Sequence, residues 1–542
     1  MIVGSSNQDK DGQATMFLVE SAGGGIRAAE WTATVLSELD RQVPDFSNRL
    51  FAISLVSGGS LGSAIYVGEL AERQRRPGCR PSQAGGLSPC ARAMLDGEFL
   101  GPVVASALSG DLLRIFWPAA RFFDDRGIAL ERAFERAWAD AYGSALFESS
   151  LSALWPQRPW PALIMNATLT SRGLVAYTSN LRDAGELTLT LPDIEVLGVG
   201  LPTTRVSTAV VNSARFPGIS PGGRFTLPWG TDASGTSFRI DPSIVASYPG
   251  KVEERYFDTL VDGGYVDNYG ASSLLRLVEQ LDDIQCDRIK ERGKSENLYA
   301  RSCSELLATK RFVRYVLIQI TSDPTLAGKC DAPPELDLGL DTTISESPDI
   351  LSPFLTLMST RSLAGLGLSK RLSDHIDHLR LGDTQSRTWG TFAAGDKIVE
   401  HTYFHFGLGP LEELPAFDNQ VQEFAFLTHM AQRRQHGDPE ADVQLEGKAE
   451  AQRRLKQEAS RWVQEPTFES HVPPLTWGLA PDSKAAIARH FEQCGAWAVP
   501  QLQEIASKGI HYPRPELASQ DTALAKDKGN QDKTAEGKDE PH

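Results

Sequence analysis

An apolar segment that leads directly into a glycine-rich turn and a helix constrains this fold most. Residues 51–56 are mostly apolar or β-branched, which predicts a buried strand. Residues 58–62 carry the pattern G-x-S-x-G, and residues 63–72 have the composition of a helix. A strand, a tight turn and a helix joined in this order present the turn serine at the edge of a sheet. We therefore predict that Ser60 is a nucleophile held on a strained turn.

A second G-x-S-x-G pattern, at residues 218–222, lacks this context. The residues before it end in Pro217 and do not predict a strand. Pro221 has no N–H to offer to an oxyanion hole. We interpret Ser220 as a turn serine.

Charge and composition limit the possible partners. The 542-residue chain is 41% hydrophobic, which is enough for a large core, and its formal net charge is −16. This charge argues against binding to nucleic acid and against electrostatic docking on anionic membranes. No apolar run predicts a membrane span, and residues 1–10 do not resemble a secretory signal. We expect a cytoplasmic protein whose contact with a membrane would be peripheral and apolar.

The cysteines allow two interpretations. None of the six belongs to a C-x-x-C pair, so a structural zinc site is not expected. Cys79 and Cys90 bracket a loop rich in Gly, Pro and Ser. They could form a disulfide in an oxidising compartment, whereas free thiols are the default in the cytoplasm.

Predicted strands alternate with predicted helices along much of the chain, which indicates an α/β fold with a mostly parallel sheet covered on both faces. Sites in such sheets lie at the carboxyl ends of strands. Four features fall at or just after predicted strand ends and are expected on one rim: residues 23–25, Ser60, Asn166 and Asp262. Residues 218–249 are rich in Gly, Pro and Ser, and we predict a long surface loop there.

Gly23, Gly24 and Gly25 lie between a predicted strand and a predicted helix, where successive N–H groups can converge on an anion. An oxyanion hole, a phosphate-binding loop and a plain tight turn are all compatible with this position. The phosphate loop is disfavoured because the dinucleotide and P-loop patterns are both absent from this stretch.

The serine needs a general base, and Asp262 is the best candidate. All ten histidines fall between His375 and His542, outside the compact α/β pattern. Asp262 ends an apolar strand and precedes two glycines, so its carboxylate is expected at the rim. An aspartate bonded directly to the serine can take its proton, provided that partial desolvation raises its pKa. The same Asp-Gly-Gly pattern is also typical of a simple turn.

Taken in order, the three motifs resemble those of the patatin-like phospholipases, which share their dyad chemistry with cytosolic phospholipases. They are strand-Gly-Gly-Gly-x-Arg, strand-G-x-S-x-G-helix and strand-Asp-Gly-Gly, and the resemblance covers residues 14–325. It implies a three-layer α/β/α sandwich in which Ser60 is the nucleophile, Asp262 the base, and Gly23 to Gly25 the oxyanion hole. Arg27 matches a basic position that contacts lipid phosphate or pins its helix, and both roles stay open.

The expected organisation is a flexible N-terminus at residues 1–13 and a hydrolase domain at 14–410. A helical, charged C-terminal extension at 411–512 and a disordered tail at 513–542 follow. Residues 99–117 form an apolar stretch that predicts either a lid or interfacial helix, or a buried packing helix.

The expected function is a phospholipase A-type lipid acyl hydrolase that works without a metal or an organic cofactor. Its substrate would be a phospholipid or another acyl lipid. The alternatives are a lipase, a carboxylesterase or thioesterase acting on small soluble esters, and a non-catalytic lipid-binding scaffold.

Overall fold

The computed structural model describes most of the α/β part of the chain and one later helix. The described residues are 14–73, 75–79, 85–111, 125–154, 161–181, 188–190, 195–200, 204–216, 220–232, 234–240, 248–292, 313–322, 365–373, 375–376, 403–408, 479 and 481–508. The predicted N-terminus at 1–13 and the predicted tail at 513–542 lie outside them, as does most of the predicted extension.

The described strands form one 11-stranded sheet with helices on both sides. The strands are β1 (Ala14–Ser21), β2 (Leu50–Val56), β3 (Ala162–Leu169), β4 (Leu174–Ser179), β5 (Thr188–Thr190), β6 (Glu195–Gly200), β7 (Gly223–Thr231), β8 (Ser237–Arg239), β9 (Glu253–Asp262), β10 (Val313–Thr321) and β11 (Tyr403–Gly407). The helices are α1 (Gly25–Gln42), α2 (Phe46–Arg49), α3 (Gly58–Glu72), α4 (Pro89–Leu95), α5 (Leu100–Ser106), α6 (Arg126–Tyr142), α7 (Val206–Ser213), α8 (Ala271–Arg292) and α9 (Pro481–Lys508).

The order of strands confirms the predicted α/β class with a mostly parallel central sheet. The main path runs β11-β10-β1-β2-β3-β4-β6-β5. The four pairs from β11 to β3 are parallel, as is β4–β6, whereas β3–β4 and β5–β6 are antiparallel. Parallel strands need long crossover connections, and helices supply them here.

One edge of β3 is shared by two strands that meet end to end. β2 pairs with β3 over Ala162 to Asn166, and β9 pairs antiparallel with it over Ala167 to Leu169. β4 occupies the opposite edge. The carboxyl ends of β2 and β9 therefore face each other.

The sheet separates two apolar cores. Side chains of a strand alternate between faces, so Phe17 and Val19 enter the first core while Met16 and Leu18 enter the second. The first core is completed by α1, α3, α4, α6, α7 and α9, and the second by α8 and the helical residues 365–373 and 375–376. This gives three layers, α/β/α.

Helix α9 belongs to the first core, although the sequence places it in the predicted extension. Phe491 packs against Phe406 of β11 with ring centroids 5.9 Å apart. The buried Arg49 donates to the carbonyl of Ala506 at 2.7 Å. The domain boundary at residues 410 and 411 stays a prediction.

The prediction of a surface loop at residues 218–249 is wrong over much of its length. Residues 223–231 form β7, which pairs antiparallel with β9, and β8 pairs with β7. Pro228 lacks an N–H, but its carbonyl accepts a hydrogen bond from Ile240 at 2.9 Å. Pairing with β9 therefore orders a segment whose composition alone is typical of a loop.

The default expectation of free thiols is also wrong. Cys79 and Cys90 form a disulfide with Cα atoms 5.1 Å apart, and Cys286 and Cys494 are disulfide-bonded as well. The prediction of a cytoplasmic location loses the support that free thiols would have given it.

The apolar stretch at residues 99–117 is described as far as Asp111. Phe99 and Val103 of this stretch are buried, and Phe99 packs edge-on against Phe134 of α6. Its other side is exposed, with Leu108 at 68%. Residues 112–117 lie outside the described part. None of the described helices combines the length and the apolar character needed to cross a bilayer.

Candidate active site

The carboxyl ends of β2 and β9 meet beside consecutive residues of β3. Val56, the last residue of β2, lies opposite Asn166, and Asp262, the last residue of β9, lies opposite Ala167. Successive residues of a strand are about 3.3 Å apart. The residue that follows Val56 is therefore delivered next to Asp262.

That residue is Ser57, and its backbone is strained. Its φ of 51° and ψ of −118° put it in a sparsely populated region for a residue with a side chain. Ser57 is the N-cap of α3, where a serine usually accepts a hydrogen bond from the first turn, yet its hydroxyl makes no capping bond. It is partly exposed. The turn thus holds an accessible hydroxyl at a strained position, and such strain clusters at functional sites.

Ser60 occupies a different environment. It lies in the first turn of α3, is 0% exposed, and its hydroxyl donates to Ser213 Oγ at 2.8 Å. Ser213 Oγ also accepts the N–H of Ser57 at 3.1 Å. The strained geometry that the sequence predicted at Ser60 is found three residues earlier, at Ser57.

Asp262 is positioned as predicted at the end of an apolar strand. It is 1% exposed, and its Oδ1 accepts the N–H of Gly264 at 2.7 Å. Its own N–H donates to the carbonyl of Arg215 at 3.0 Å, while the N–H of Ser57 donates to the carbonyl of Ser213 at 3.2 Å. The short segment from Ser213 to Arg215 therefore holds both strand ends in register.

Arg215 anchors this segment from beneath. It is buried, and its guanidinium donates to Asn212 Oδ1 at 2.9 Å and to the carbonyl of Pro221 at 2.9 Å. Glu131 lies 3.6 Å away. Burial lowers the pKa of Arg215 and outweighs the opposing effect of the nearby acids. Since three elements converge on this side chain, the segment has little freedom to move.

The triglycine loop packs directly on the turn that carries Ser57. A Cβ on Gly58 would collide with the carbonyl oxygen of Gly25, and a Cβ on Gly23 would lie 3.2 Å from Ser57 Cβ. Gly24 and Gly25 have φ of 152° and 60°. Gly25 is the first residue of α1 and Gly58 the first of α3, so their N–H groups have no partner within their own helices. Two helix N-termini, both favourable to negative charge, meet at Ser57.

Two other residues that the sequence singled out, Arg27 and Asn166, are buried in the fold. Arg27 is 5% exposed and interacts within the chain, so contact with a lipid phosphate stays a prediction. Asn166 is 0% exposed and ties β3 to β2, because its Nδ2 donates to Ser54 Oγ and to the carbonyl of Leu55, both at 2.9 Å. Ser273 Oγ donates to its Oδ1.

Two histidines, one buried and one partly buried, have structural partners. His405 of β11 is 1% exposed and its Nε2 lies 2.8 Å from Thr321 Oγ1. His490 of α9 lies 2.8 Å from the carbonyl of Gly407, and burial lowers its pKa. Both lie on the β10–β11 side of the sheet, away from the edge shared by β2 and β9.

Sequence reasoning missed Ser57, Ser213 and Asn268. The position of Ser57 directly after the last apolar residue of a strand is a usable signal, since the strained turn must begin where the strand ends. Ser213 and Asn268 come from distant parts of the chain, and local sequence gives no signal for their proximity to Ser57.

No protein-family description matches the chain, and no curated protein matches it. Among solved structures, it is similar to VipD from Legionella pneumophila, with a TM-score of 0.23 and 11% identity. The similarity covers 76% of this chain and 64% of VipD, so the chain spans less than two thirds of that protein. A likeness this weak supports no conclusion about the fold or the activity.

Proposed function

We propose that the chain is a serine hydrolase that cleaves fatty-acyl esters of lipids, with Ser57 as nucleophile and Asp262 as general base. One observation carries the proposal. A strained, partly exposed serine directly follows β2 at the point where β9 ends in a buried aspartate, and two helix N-termini meet beside that serine. Ser60, the nucleophile that the G-x-S-x-G pattern favours, is the alternative that the experiment below must separate.

The chemistry follows from these positions. Ser57 Oγ attacks the ester carbonyl carbon while Asp262 takes the hydroxyl proton. The N–H groups of Gly24, Gly25 and Gly58 stabilise the negative oxygen of the tetrahedral intermediate. The intermediate collapses to an acyl-serine, and Asp262 returns the proton to the departing alcohol oxygen. Water, deprotonated by Asp262, then attacks the acyl-serine. The bond to Ser57 Oγ breaks, Asp262 returns the proton to that oxygen, and the fatty acid is released.

A lipid substrate, rather than a small soluble ester, is supported by an exposed apolar face. Leu100, Val104 and Leu108 are spaced four residues apart and are 43%, 44% and 68% exposed. We call these three side chains the apolar face. With a net charge of −16, the chain would contact lipid through apolar groups rather than through charge.

The first test is covalent labelling of the full chain with a fluorophosphonate, followed by fragmentation of the tryptic peptide. Arg49 and Arg73 bound a peptide that contains both Ser57 and Ser60, so backbone fragments between them locate the adduct. We expect the adduct on Ser57, its loss in Ser57→Ala, and its retention in Ser60→Ala. An adduct on Ser60 would restore the motif-based assignment, and an unlabelled protein with no hydrolysis of any ester would contradict the proposal.

The second test separates lipid from soluble esters. The double variant Val104→Ser with Leu108→Ser should hydrolyse phosphatidylcholine vesicles about tenfold more slowly or worse, because less apolar area reaches the lipid. Its rate on a dissolved short-chain ester should not change. Ile284→Ser is the matched control, since Ile284 is 45% exposed on α8, on the opposite face of the sheet. An equal loss on both substrates would favour the soluble-ester alternative.

A further inference from the structure

Asn268 carries a buried polar atom that the fold leaves unsatisfied. The residue is 2% exposed, and its Oδ1 has no hydrogen-bond partner among the described residues. Leaving a buried acceptor unpaired costs about 1–3 kcal/mol. A folded chain that keeps such a cost usually has a ligand, a water or a mechanism that explains it.

The fold supports another buried asparagine differently. Asn166 is equally buried, and hydrogen bonds to Ser54, Leu55 and Ser273 engage both ends of its carboxamide. Asn166 acts as a tie between strands. The Oδ1 of Asn268 makes no such bond to any described residue, so this end of its carboxamide does not tie two elements together.

The carboxamide of Asn268 is directed at the triglycine loop. The position that a Cβ on Gly23 would take is 2.7 Å from Asn268 Oδ1 and 3.2 Å from Ser57 Cβ. Asn268 and Ser57 therefore lie around one point on the loop. The carbonyl of Asn268 also accepts the N–H of Gly23 at 3.0 Å, which fixes the distance between the two segments.

The backbone around Asn268 is held rigidly by its neighbour. Asp267 is 0% exposed, and its carboxylate accepts the N–H groups of Tyr269, Gly270 and Ser272 at 3.0, 3.0 and 2.8 Å. These bonds cap the start of α8. They also hold Asn268 in place before any substrate arrives, which is the requirement for electrostatic preorganisation.

We propose that the carboxamide of Asn268 donates an N–H to the substrate carbonyl oxygen and adds to the oxyanion hole. The inference rests on the proposed acyl-ester hydrolysis at Ser57. The O and NH₂ ends of a carboxamide have nearly the same shape, so a half-turn places the NH₂ group where Oδ1 lies. Asn268 donates a hydrogen bond only, and the proton stays on its nitrogen throughout the reaction.

The test compares Asn268→Ala and Asn268→Asp with wild type on a dissolved ester, by kcat, KM and the rate of fluorophosphonate inactivation. We expect kcat to fall roughly 100-fold or more in Asn268→Ala, with KM within about threefold, because the bond forms only in the transition state. Asn268→Asp should be slower still, since a carboxylate repels the oxyanion. The inactivation rate should fall in parallel.

Thermal melting separates this role from a structural one. Removing an unsatisfied polar group should leave the Tm of Asn268→Ala within about 3 °C of wild type, since little bonding energy is lost. Asn48→Ala is the matched control, because Asn48 lies on α2 and its side chain donates locally, to Asp45 Oδ1 at 3.2 Å. Its kcat should equal that of wild type.

The outcomes divide cleanly. If wild type hydrolyses the ester and Ser57 is labelled, but Asn268→Ala keeps its kcat, the role of Asn268 is refuted while the proposed function stands. A loss of kcat that tracks a large drop in Tm would also refute it, in favour of a structural role. If wild type neither hydrolyses any ester nor takes the label, both proposals fail together.

Discussion

Ser57 and Ser60 lie three residues apart in one motif, yet the fold treats them in opposite ways. Ser57 has a positive φ, is partly exposed and makes no capping bond. Ser60 lies in regular helical backbone, is 0% exposed and donates a hydrogen bond to Ser213 Oγ. The hydroxyl of Ser57 therefore stays available for reaction, at a cost in stability. The hydroxyl of Ser60 instead stabilises the contact between α3 and α7.

The difference comes from where β2 stops. β9 takes over the edge of β3 at Ala167, so β2 cannot continue past Val56 and the chain must turn at the next residue. Ser57 takes the strain of that turn. By the third residue of α3 the chain is regularly helical, and a hydroxyl there faces the packed neighbour α7. Whether a serine is suited to be the nucleophile therefore depends on its distance from the strand end, rather than on its position in the G-x-S-x-G pattern.

The largest expected effect is the difference in kcat between variants of the two serines. Ser57→Ala should lower kcat by a factor on the order of 10⁴ to 10⁶, because the covalent route is lost. Ser60→Ala should stay within about tenfold of wild type in kcat, and should lose about 1 kcal/mol of stability with its hydrogen bond. Steady-state kinetics and chemical denaturation of both variants provide the measurement. The reverse pattern would show that α3 opens during catalysis.

The next effect concerns how closely the turn is pressed against the triglycine loop. Gly58→Ala should destabilise the protein by about 3 kcal/mol or more, because its Cβ meets the rigid backbone of Gly25. Gly78→Ala is the control, since a Cβ on Gly78 would meet no atom within 4 Å among the described residues beyond its chain neighbours. Differential scanning calorimetry should show a large fall in Tm for the first and almost none for the second. Equal melting of the two variants would mean that the contact is looser than described.

A third variant tests whether the N–H of Gly24 belongs to the oxyanion hole. Gly24→Ala forces a residue with a side chain to a φ of 152° and brings its Cβ onto the Ser322 hydroxyl. We expect kcat to drop about 100-fold, as on losing one oxyanion donor. Binding of a dissolved substrate should change little. A proportional rise in KM with kcat retained would point to a role in ground-state binding instead.

The smallest expected effect concerns the pH dependence of stability. It comes from Glu20 near the end of β1, which, like Ser60, is a fully buried polar residue. Burial raises the pKa of Glu20 to about 8, and its Oε2 has no partner in the described part of the chain. Its pKa when unfolded is near 4.5, so between these values the folded state binds the extra proton. Stability from this group is therefore complete below about pH 4.5 and declines as pH rises towards 8.

We expect wild type to lose roughly 2 kcal/mol of unfolding free energy between pH 5 and pH 7 through Glu20. Glu20→Gln should remove that part of the slope, because the amide does not titrate. Urea denaturation at several pH values measures the difference. If the unfolding free energies of wild type and Glu20→Gln changed equally with pH, Glu20 would be solvated in the folded state.

Local sequence was sufficient to predict many of the strands and the positions of their ends. The strands β1, β2 and β10 are rich in apolar or β-branched residues, and polar residues mark where these runs end. Asp262 was predicted correctly as a strand-end carboxylate because Val261 before it and Gly263 after it are local signals. The triglycine loop was found on the same grounds.

The remainder depends on contacts between distant segments. β7 is a strand because β9 pairs with it, which its Gly and Pro content conceals. α8 begins only at Ala271, because the Asp267 side chain holds the preceding residues as a cap. That same cap directs Asn268 towards Gly23. The unsatisfied amide cannot be identified until those pairings are known.

The packing of α9 on α1 has a consequence for how the protein is made. Trp31 of α1 packs against His490 and Phe491 of α9, with ring centroids 5.5 and 6.5 Å apart, so the support of the N-terminal helix arrives late. Ribosomes add roughly 5–20 residues per second, which leaves α1 without this cover for about half a minute or longer. During that interval the nascent chain exposes apolar surface around Trp31. We expect its biogenesis to depend on chaperones that hold this surface until α9 is synthesised.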